Sequence, residues 1–212
     1  MTHSPSRVFV IDDDDSVRRA LGRLLRCAGY QTEVFESARS FLADMDLSSG
    51  PACLVLDLQL PDLSGLELQH ELNMSLPIVF LTGHGDIATT VDAMKAGATD
   101  FLTKPVNDTV LLDVVEHALV CAMQMYEERQ ELVEIELRLA SLTPREREVM
   151  ALVVTGRLNK QVAFDLGVAE KTIKIHRARV MKKMKARSLA DLIHFADKVR
   201  AGRPAYAPHV RH

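Results

Sequence analysis

Four consecutive acids, Asp12, Asp13, Asp14 and Asp15, a lone Asp57, a hydroxyl at Thr82 and an ammonium at Lys104 carry the chemistry of the N-terminal half. Carboxylates brought close together repel unless a cation neutralises them. Oxygen-only ligands select a hard cation, and few protein ligands with several waters select Mg²⁺. Asp12 and Asp13 with Asp57 are therefore the candidate metal site, while Asp14 and Asp15 are expected to face solvent or cap the helix that starts near Ser16. The rival reading of the run is a solvated stretch of charge, and that of Asp57 a structural acid. Beside a divalent cation and an ammonium, however, a carboxylate becomes a nucleophile toward phosphorus. The metal and Lys104 would neutralise the oxygens of a transferring phosphoryl group, and Thr82 would hydrogen-bond that group on arrival.

These residues are far apart in sequence and need a scaffold that gathers them. Each stands at the end of a short apolar run: Val8-Phe9-Val10-Ile11, Cys53-Leu54-Val55-Leu56, Ile78-Val79-Phe80-Leu81 and Phe101-Leu102. Such runs, separated by helix-period segments, read as parallel strands buried on both faces. Strands are expected near 7–12, 31–35, 52–57, 77–82 and 99–103, and helices near 16–29, 37–45, 65–73, 86–97 and 107–121. Gly29 and Gly97 fit helix C-caps and Ser37 an N-cap. The fold class is α/β, a doubly wound five-stranded parallel sheet. Parallel strands meet at one edge, where open α/β sheets place their sites.

The chain has 212 residues, 47% of them apolar and 26% charged, which suits one large or two small domains with real cores. No continuous run approaches the ~18 apolar residues of a membrane span. The N-terminal segment lacks the basic-then-apolar build of a signal peptide, so the expected location is cytoplasmic, with no membrane contact. Three scattered cysteines, Cys27, Cys53 and Cys121, fit reduced thiols better than disulfides or zinc ligands. The net charge of −3 hides a polarity. Residues 1–121 carry 8 basic against 18 acidic side chains, and residues 142–212 carry 16 against 6. An acidic half with a metal or regulatory site and a basic half with a polyanionic partner follow from that asymmetry.

Residues 122–141 read as a helical linker with Leu132, Ile135, Leu139 and Leu142 at a/d-like spacing. The favoured reading is a helix packing on one of the domains; a short coiled coil between two copies is the sharper one. Beyond it, Thr143, Pro144 and Glu146 form a capping-box start. Short helices are expected near 144–155, 159–166, 171–184 and 188–199, with Gly156 and Gly167 between them, and a disordered tail over 201–212. The helix from Lys171 to Met184 sets Ile173, Val180, Met181 and Met184 on one face and Lys174, His176, Arg177, Arg179, Lys182 and Lys183 largely elsewhere. Joined by a short turn to the helix before it, it has the make-up of a helix-turn-helix that enters the major groove.

Four segments, Val10-Ile11-Asp12-Asp13-Asp14, Leu56 to Gly65, Leu81 to Asp86 and Phe101 to Pro105, resemble the receiver domain of bacterial two-component response regulators. The resemblance implies that Asp57 is the phosphoacceptor, and that Asp13, assisted by Asp12, holds Mg²⁺ together with Asp57 and the Gln59 carbonyl. It gives Thr82 and Phe101 the switch positions, the phosphoryl bond to Lys104, and a cis peptide to Lys104-Pro105. Phe101 departs from the tyrosine of some receivers and offers no hydroxyl. Leu142 to Val149, Asn159 to Ala163 and Lys171 to His176 resemble the LuxR/NarL-type helix-turn-helix of the FixJ group. Lys174 and Ile175 fall where that family reads base edges, and Lys160, Thr172, Arg179 and Lys182 where it contacts phosphates. Ala169 replaces the usual Ser/Thr cap, at a cost of about 1 kcal/mol. Ala178 replaces a residue that is basic in some relatives, so base preference does not carry over.

The resemblance divides the chain into a receiver (1–121), a helical linker (122–141) and a DNA-binding domain (142–200). The implied function is a non-enzymatic, phosphorylation-dependent transcription regulator. Its implied partners are a sensor histidine kinase, promoter DNA, RNA polymerase and, on phosphorylation, a second copy. Two rivals are an aspartyl-phosphate phosphatase and a constitutive DNA-binding protein with the receiver as dimerisation scaffold. The first calls for an acid two residues after the nucleophile, and here Gln59 stands at that position.

Overall fold

A computed structural model describes residues 6–83 and 87–202. The chain divides into two compact units, residues 1–127 and 128–212. In the first, strands β1 (Arg7–Ile11), β2 (Gln31–Phe35), β3 (Ala52–Asp57), β4 (Ile78–Thr82) and β5 (Asp100–Thr103) alternate with helices α1 (Asp15–Cys27), α2 (Ala38–Asp44), α3 (Gly65–Leu72), α4 (Ile87–Lys95) and α5 (Asp108–Ala140). The strands form one parallel sheet in the order β2-β1-β3-β4-β5.

Successive strand side chains point to opposite faces, so one strand feeds two cores. Phe9 and Ile11 join Phe41, Leu54, Leu56, Leu68 and Phe80 on the face covered by α2, α3 and α4. Val8 and Val10 join Cys53, Val55, Val79 and Leu81 against Leu21 and Leu25 of α1 and Leu111, Val115 and Ala118 of α5. Full burial of a side chain such as Phe9 or Leu54 stabilises by about 1.5–3 kcal/mol. The central strands are therefore held on both faces, and the residues at their ends are fixed with them. Gly29 and Gly97 follow α1 and α4 with φ of 95° and 92°, the left-handed conformation of a helix stop.

Several boundaries shift by one or two residues from expectation. The larger difference is the linker: α5 continues without a break from Asp108 to Ala140, so 107–121 and 122–141 are one helix. No residue near 121 breaks it, because Cys121-Ala122-Met123-Gln124 holds neither Gly nor Pro. By length and composition alone this helix is apolar enough to cross a membrane. Asp113 and Glu116 interrupt its apolar stretch, and Leu111, Val115, Ala118 and Leu119 lie in the sheet's core.

In the second unit, α6 (Pro144–Val153), α7 (Asn159–Asp165), α8 (Glu170–Lys183) and α9 (Leu189–Gly202) follow. Thr143 and Glu146 form the expected capping box of α6. Ile135 and Leu142 are buried with Val149, Val162, Ile173, Val180, Met184 and Leu192, and Leu132 and Leu139 pack against them. The linker stripe is thus part of this unit's core. Ala201 and Gly202, expected in the tail, still belong to α9; the remainder of that tail and residues 84–86 lie outside the described residues.

Candidate functional sites

The crevice at the C-terminal edge of the sheet gathers Asp12, Asp57, Thr82 and Lys104. Register explains how: Ile11 lies beside Leu56 and Asp57 beside Leu81, while Thr82 lies beside Thr103, so the residues at or just past these strand ends line up. Asp12, Asp57 and Thr82 are buried, and Asp13 is exposed. Lys104 donates from Nζ to Asp12 Oδ2 and to Asp57 Oδ2, each at 2.6 Å. The preceding backbone is pinned by the Lys104 N–H donating to the Thr82 carbonyl at 2.7 Å, and Lys104-Pro105 is cis. Asp57 Oδ1 accepts from the Gln59 N–H at 3.1 Å, and Asp12 Oδ1 from the Asp14 N–H at 3.0 Å.

Carboxylate oxygens of Asp12, Asp13 and Asp57 all lie within 4.8 Å of one another. Three carboxylates and one ammonium leave two negative charges, the complement of one divalent cation. The donors are all oxygen and two of the three acids are buried, which suits a hard ion. Burial pushes the Asp12 carboxyl above its ordinary range, with the Asp57 charge adding to this and Lys104 opposing it. Burial alone would lower Lys104, but its bonds to Asp12 and Asp57 outweigh that and hold the ammonium above its ordinary value. A protonated lysine and two buried acids at one strand edge are ready to receive both a cation and an anionic group.

Three supporting residues were given no role in the sequence reading, although Asp62 and Gly65 lie in the segment that carries the receiver resemblance. Gly65, first in α3, lies directly behind Asp57: a Cβ there would stand 2.8 Å from the Asp57 carbonyl oxygen and 2.9 Å from the Phe80 ring. Arg18 donates from Nη1 to the carbonyls of Asp12 and Asp13, at 2.7 and 3.3 Å, steadying the acidic loop. Asp62 accepts from the backbone N–H groups of Ala38 and Arg39 at the start of α2. All three act through backbone atoms, which residue type alone does not reveal. Asp14 caps α1, accepting from the Ser16 and Val17 N–H groups, as expected. Phe101 is half-buried, with its ring 6.3 Å from that of Phe80. An apolar groove of about 700 Å³, lined by Val17, Ala20, Leu24, Pro105 and Val106 among others, opens beside Lys104.

In the second unit, α8 buries Ile173 and Val180, with Met184 buried just after it, and leaves Lys171, Lys174, Ile175, Ala178, Arg179 and Lys182 exposed. At 100° per residue these six fall on one side of the helix. Lys171 was not among the expected contacts, and Thr172 lies half-buried at the edge. Ala169 makes no side-chain cap, as its residue type implies. Two cations expected on the basic face are engaged within the unit. Arg177 donates to Asn159 Oδ1 at 3.0 Å, tying α8 to α7. Lys183 donates to the Ser141 carbonyl and to Glu146 Oε2, at 3.0 and 2.7 Å, and this bond holds the Glu146 carboxyl down at about 2. Lys160 is exposed on α7.

Residues 8–116 match the response regulator receiver domain, and residues 140–196 match the luxR family of bacterial regulatory proteins. Nodulation protein W of Bradyrhizobium diazoefficiens is 50% identical over 90% of this chain and 85% of its own. Transcriptional regulatory protein FixJ of Rhizobium meliloti is 40% identical over 89% and 94%. Among solved structures, the response regulator StyR superposes with a TM-score of 0.75 at 45% identity, covering 92% of this chain and 99% of that one.

Proposed function

The chain belongs to the response regulators that join a receiver domain to a LuxR-type DNA-binding domain, and from that premise we propose how its residues carry the signal. It is a transcriptional response regulator of a two-component system, with a histidine kinase and DNA as partners. Asp57 is the phosphoacceptor. Its carboxylate oxygen attacks the phosphorus of a phosphohistidine on the kinase. The new O–P bond forms as the N–P bond breaks, and the imidazole leaves with the electron pair. The apolar groove beside Lys104 is where the kinase docks, because Lys104, which lines that groove, binds the acid that the histidine must reach.

Asp12, Asp13, Asp57 and the Gln59 carbonyl would hold Mg²⁺, which when bound neutralises the transferring oxygens. Lys104 exchanges its bond to Asp57 for one to the phosphoryl group. Thr82 turns toward the same group, and Phe101 moves into the space this opens beside Phe80. The face of α4 and β5, where Val91 and Met94 are exposed, then joins a second copy. In the output unit Lys174 and Ile175 meet base edges, with Ala178 on the same side. Lys160, Thr172, Arg179 and Lys182 meet phosphates. The dimer, bound at a promoter in the cytoplasm, acts on RNA polymerase.

The observation that carries this reading is a single ammonium 2.6 Å from two buried acids at the sheet's edge. That is the charge distribution an incoming phosphoryl group and a divalent cation would reorganise. Incubation with radiolabelled acetyl phosphate and Mg²⁺ tests it. Wild type takes up acid-stable, alkali-labile label; equal labelling of Asp57→Asn overturns the assignment.

A further inference from the structure

The stripe that looks like a coiled-coil seam in the sequence, Leu132, Ile135, Leu139 and Leu142, lies in the core of its own unit. The other side of the same helix is not used that way. At 100° per residue, Gln130, Val133, Leu137 and Ala140 form a second stripe at 3-4-3 spacing, roughly opposite Ile135. All four are exposed, Leu137 to 67% and Val133 to 46%. A lone exposed leucine would need no explanation, but two aliphatic residues and an alanine in heptad register make a strip with one purpose.

We infer that two copies of this chain close the stripe as a parallel two-stranded coiled coil. Gln130 and Leu137 take the a positions and Val133 and Ala140 the d positions. The polar residue at one a position fixes the register. Flanking charges select the direction. In the parallel pairing, Arg129 at g faces Glu134 of the partner subunit at e, opposite in sign, and Glu136 faces the uncharged Ser141 of the partner subunit. An antiparallel pairing centred between Val133 and Leu137 sets Glu136 against Glu136 of the partner subunit. Within each copy Glu134 already binds Arg138 and Lys185, and Glu131 binds Lys198, which reduces the acidity of the helix. The parallel direction leaves both helix-turn-helix units at one end, as two half-sites require.

Two heptads bury far less than the roughly 1,200 Å² of a stable interface. The seam therefore closes only when another contact raises the effective concentration of the two helices. It rests on the reading above that phosphorylation joins two receivers, and it extends that contact toward the DNA.

The test uses the full chain with Cys27→Ser, Cys53→Ala and Cys121→Ser, carrying either Val133→Cys or Glu128→Cys as an off-seam control. Each is treated with acetyl phosphate and Mg²⁺, followed by sedimentation and mild oxidation. Val133→Cys is expected to form disulfide-linked dimer at least about tenfold better when phosphorylated, and better than Glu128→Cys. Leu137→Glu added to the Val133→Cys chain, with helicity and melting preserved, is expected to remove that yield. A phosphorylated dimer whose Val133→Cys links no better than Glu128→Cys overturns the seam while leaving receiver dimerisation standing. A chain that stays monomeric overturns both.

Discussion

The crevice and the recognition face both concentrate charge, and they differ in what the charge is bound to. In the crevice, residues 92 positions apart in sequence meet as a compensated, mostly buried set, with Lys104 between Asp12 and Asp57. On α8, Lys171, Lys174, Arg179 and Lys182 are neighbours on one helix and stand in solvent. Among the described residues Lys174 has an exposed pairing with Glu170, at 3.4 Å. Exposed pairs of that kind contribute about 0–1 kcal/mol, so this surface keeps its charge for a polyanion. Buried charge in a low-dielectric site responds sharply to one added group, whereas exposed charge responds to salt and to a whole backbone of phosphates. The first arrangement makes a switch and the second a grip.

Four substitutions break or sharpen that contrast. Asp57→Asn removes the acceptor and is expected to abolish labelling by acetyl phosphate while leaving the exposed face untouched; unchanged basal DNA binding by gel shift checks the second half. Gly65→Ala forces a Cβ against the Asp57 carbonyl and should destabilise the first unit by about 1–3 kcal/mol. Thermal unfolding reads this, and an unchanged melt would mean the backbone gives way at no cost. Lys174→Ala should cost about 1–3 kcal/mol at a specific site and relax base preference, while Lys182→Ala should weaken all sequences alike and lower the salt slope by about one. Identical salt slopes for the two variants would remove the distinction between base and phosphate contacts.

The smallest effect concerns the cation that sits on neither site. Lys183 holds the Glu146 carboxyl at about 2 against an ordinary 4.5. A depressed carboxylate contributes stability above its unfolded value, and that contribution fades as pH falls through the folded one. Lys183→Met is therefore expected to melt earlier than wild type near neutral pH, with the gap narrowing as pH falls from 4.5 toward 2. A constant gap over that range would show that Lys183 acts through packing alone.

The crevice was legible because apolar strand runs name their own ends, and a parallel sheet brings those ends together. Asp12, Asp57, Thr82 and Lys104 meet as the pattern requires. Gly65 and Arg18 were not legible, since one acts by having no side chain and the other by binding two carbonyl groups. On α8, helical periodicity separated Ile173, Val180 and Met184 from the solvent side. It did not separate cations that bind within the unit from those that face outward: Arg177 and Lys183 have tertiary partners 18 and 37 residues away. The linker's leucine stripe was read in the right place. Whether a core or a second chain covers it depends on α6 to α9, and periodicity alone carries no partner.

Chemistry at Asp57 is proposed to control binding by α8. The most direct measurement is the affinity of wild type and Asp57→Asn for an operator with two half-sites, with and without acetyl phosphate and Mg²⁺, at fixed salt. Wild type is expected to tighten by at least about tenfold on phosphorylation through dimerisation, and Asp57→Asn to stay unchanged. Equal affinity of the phosphorylated and unphosphorylated wild type would contradict it and leave a constitutive DNA-binding protein.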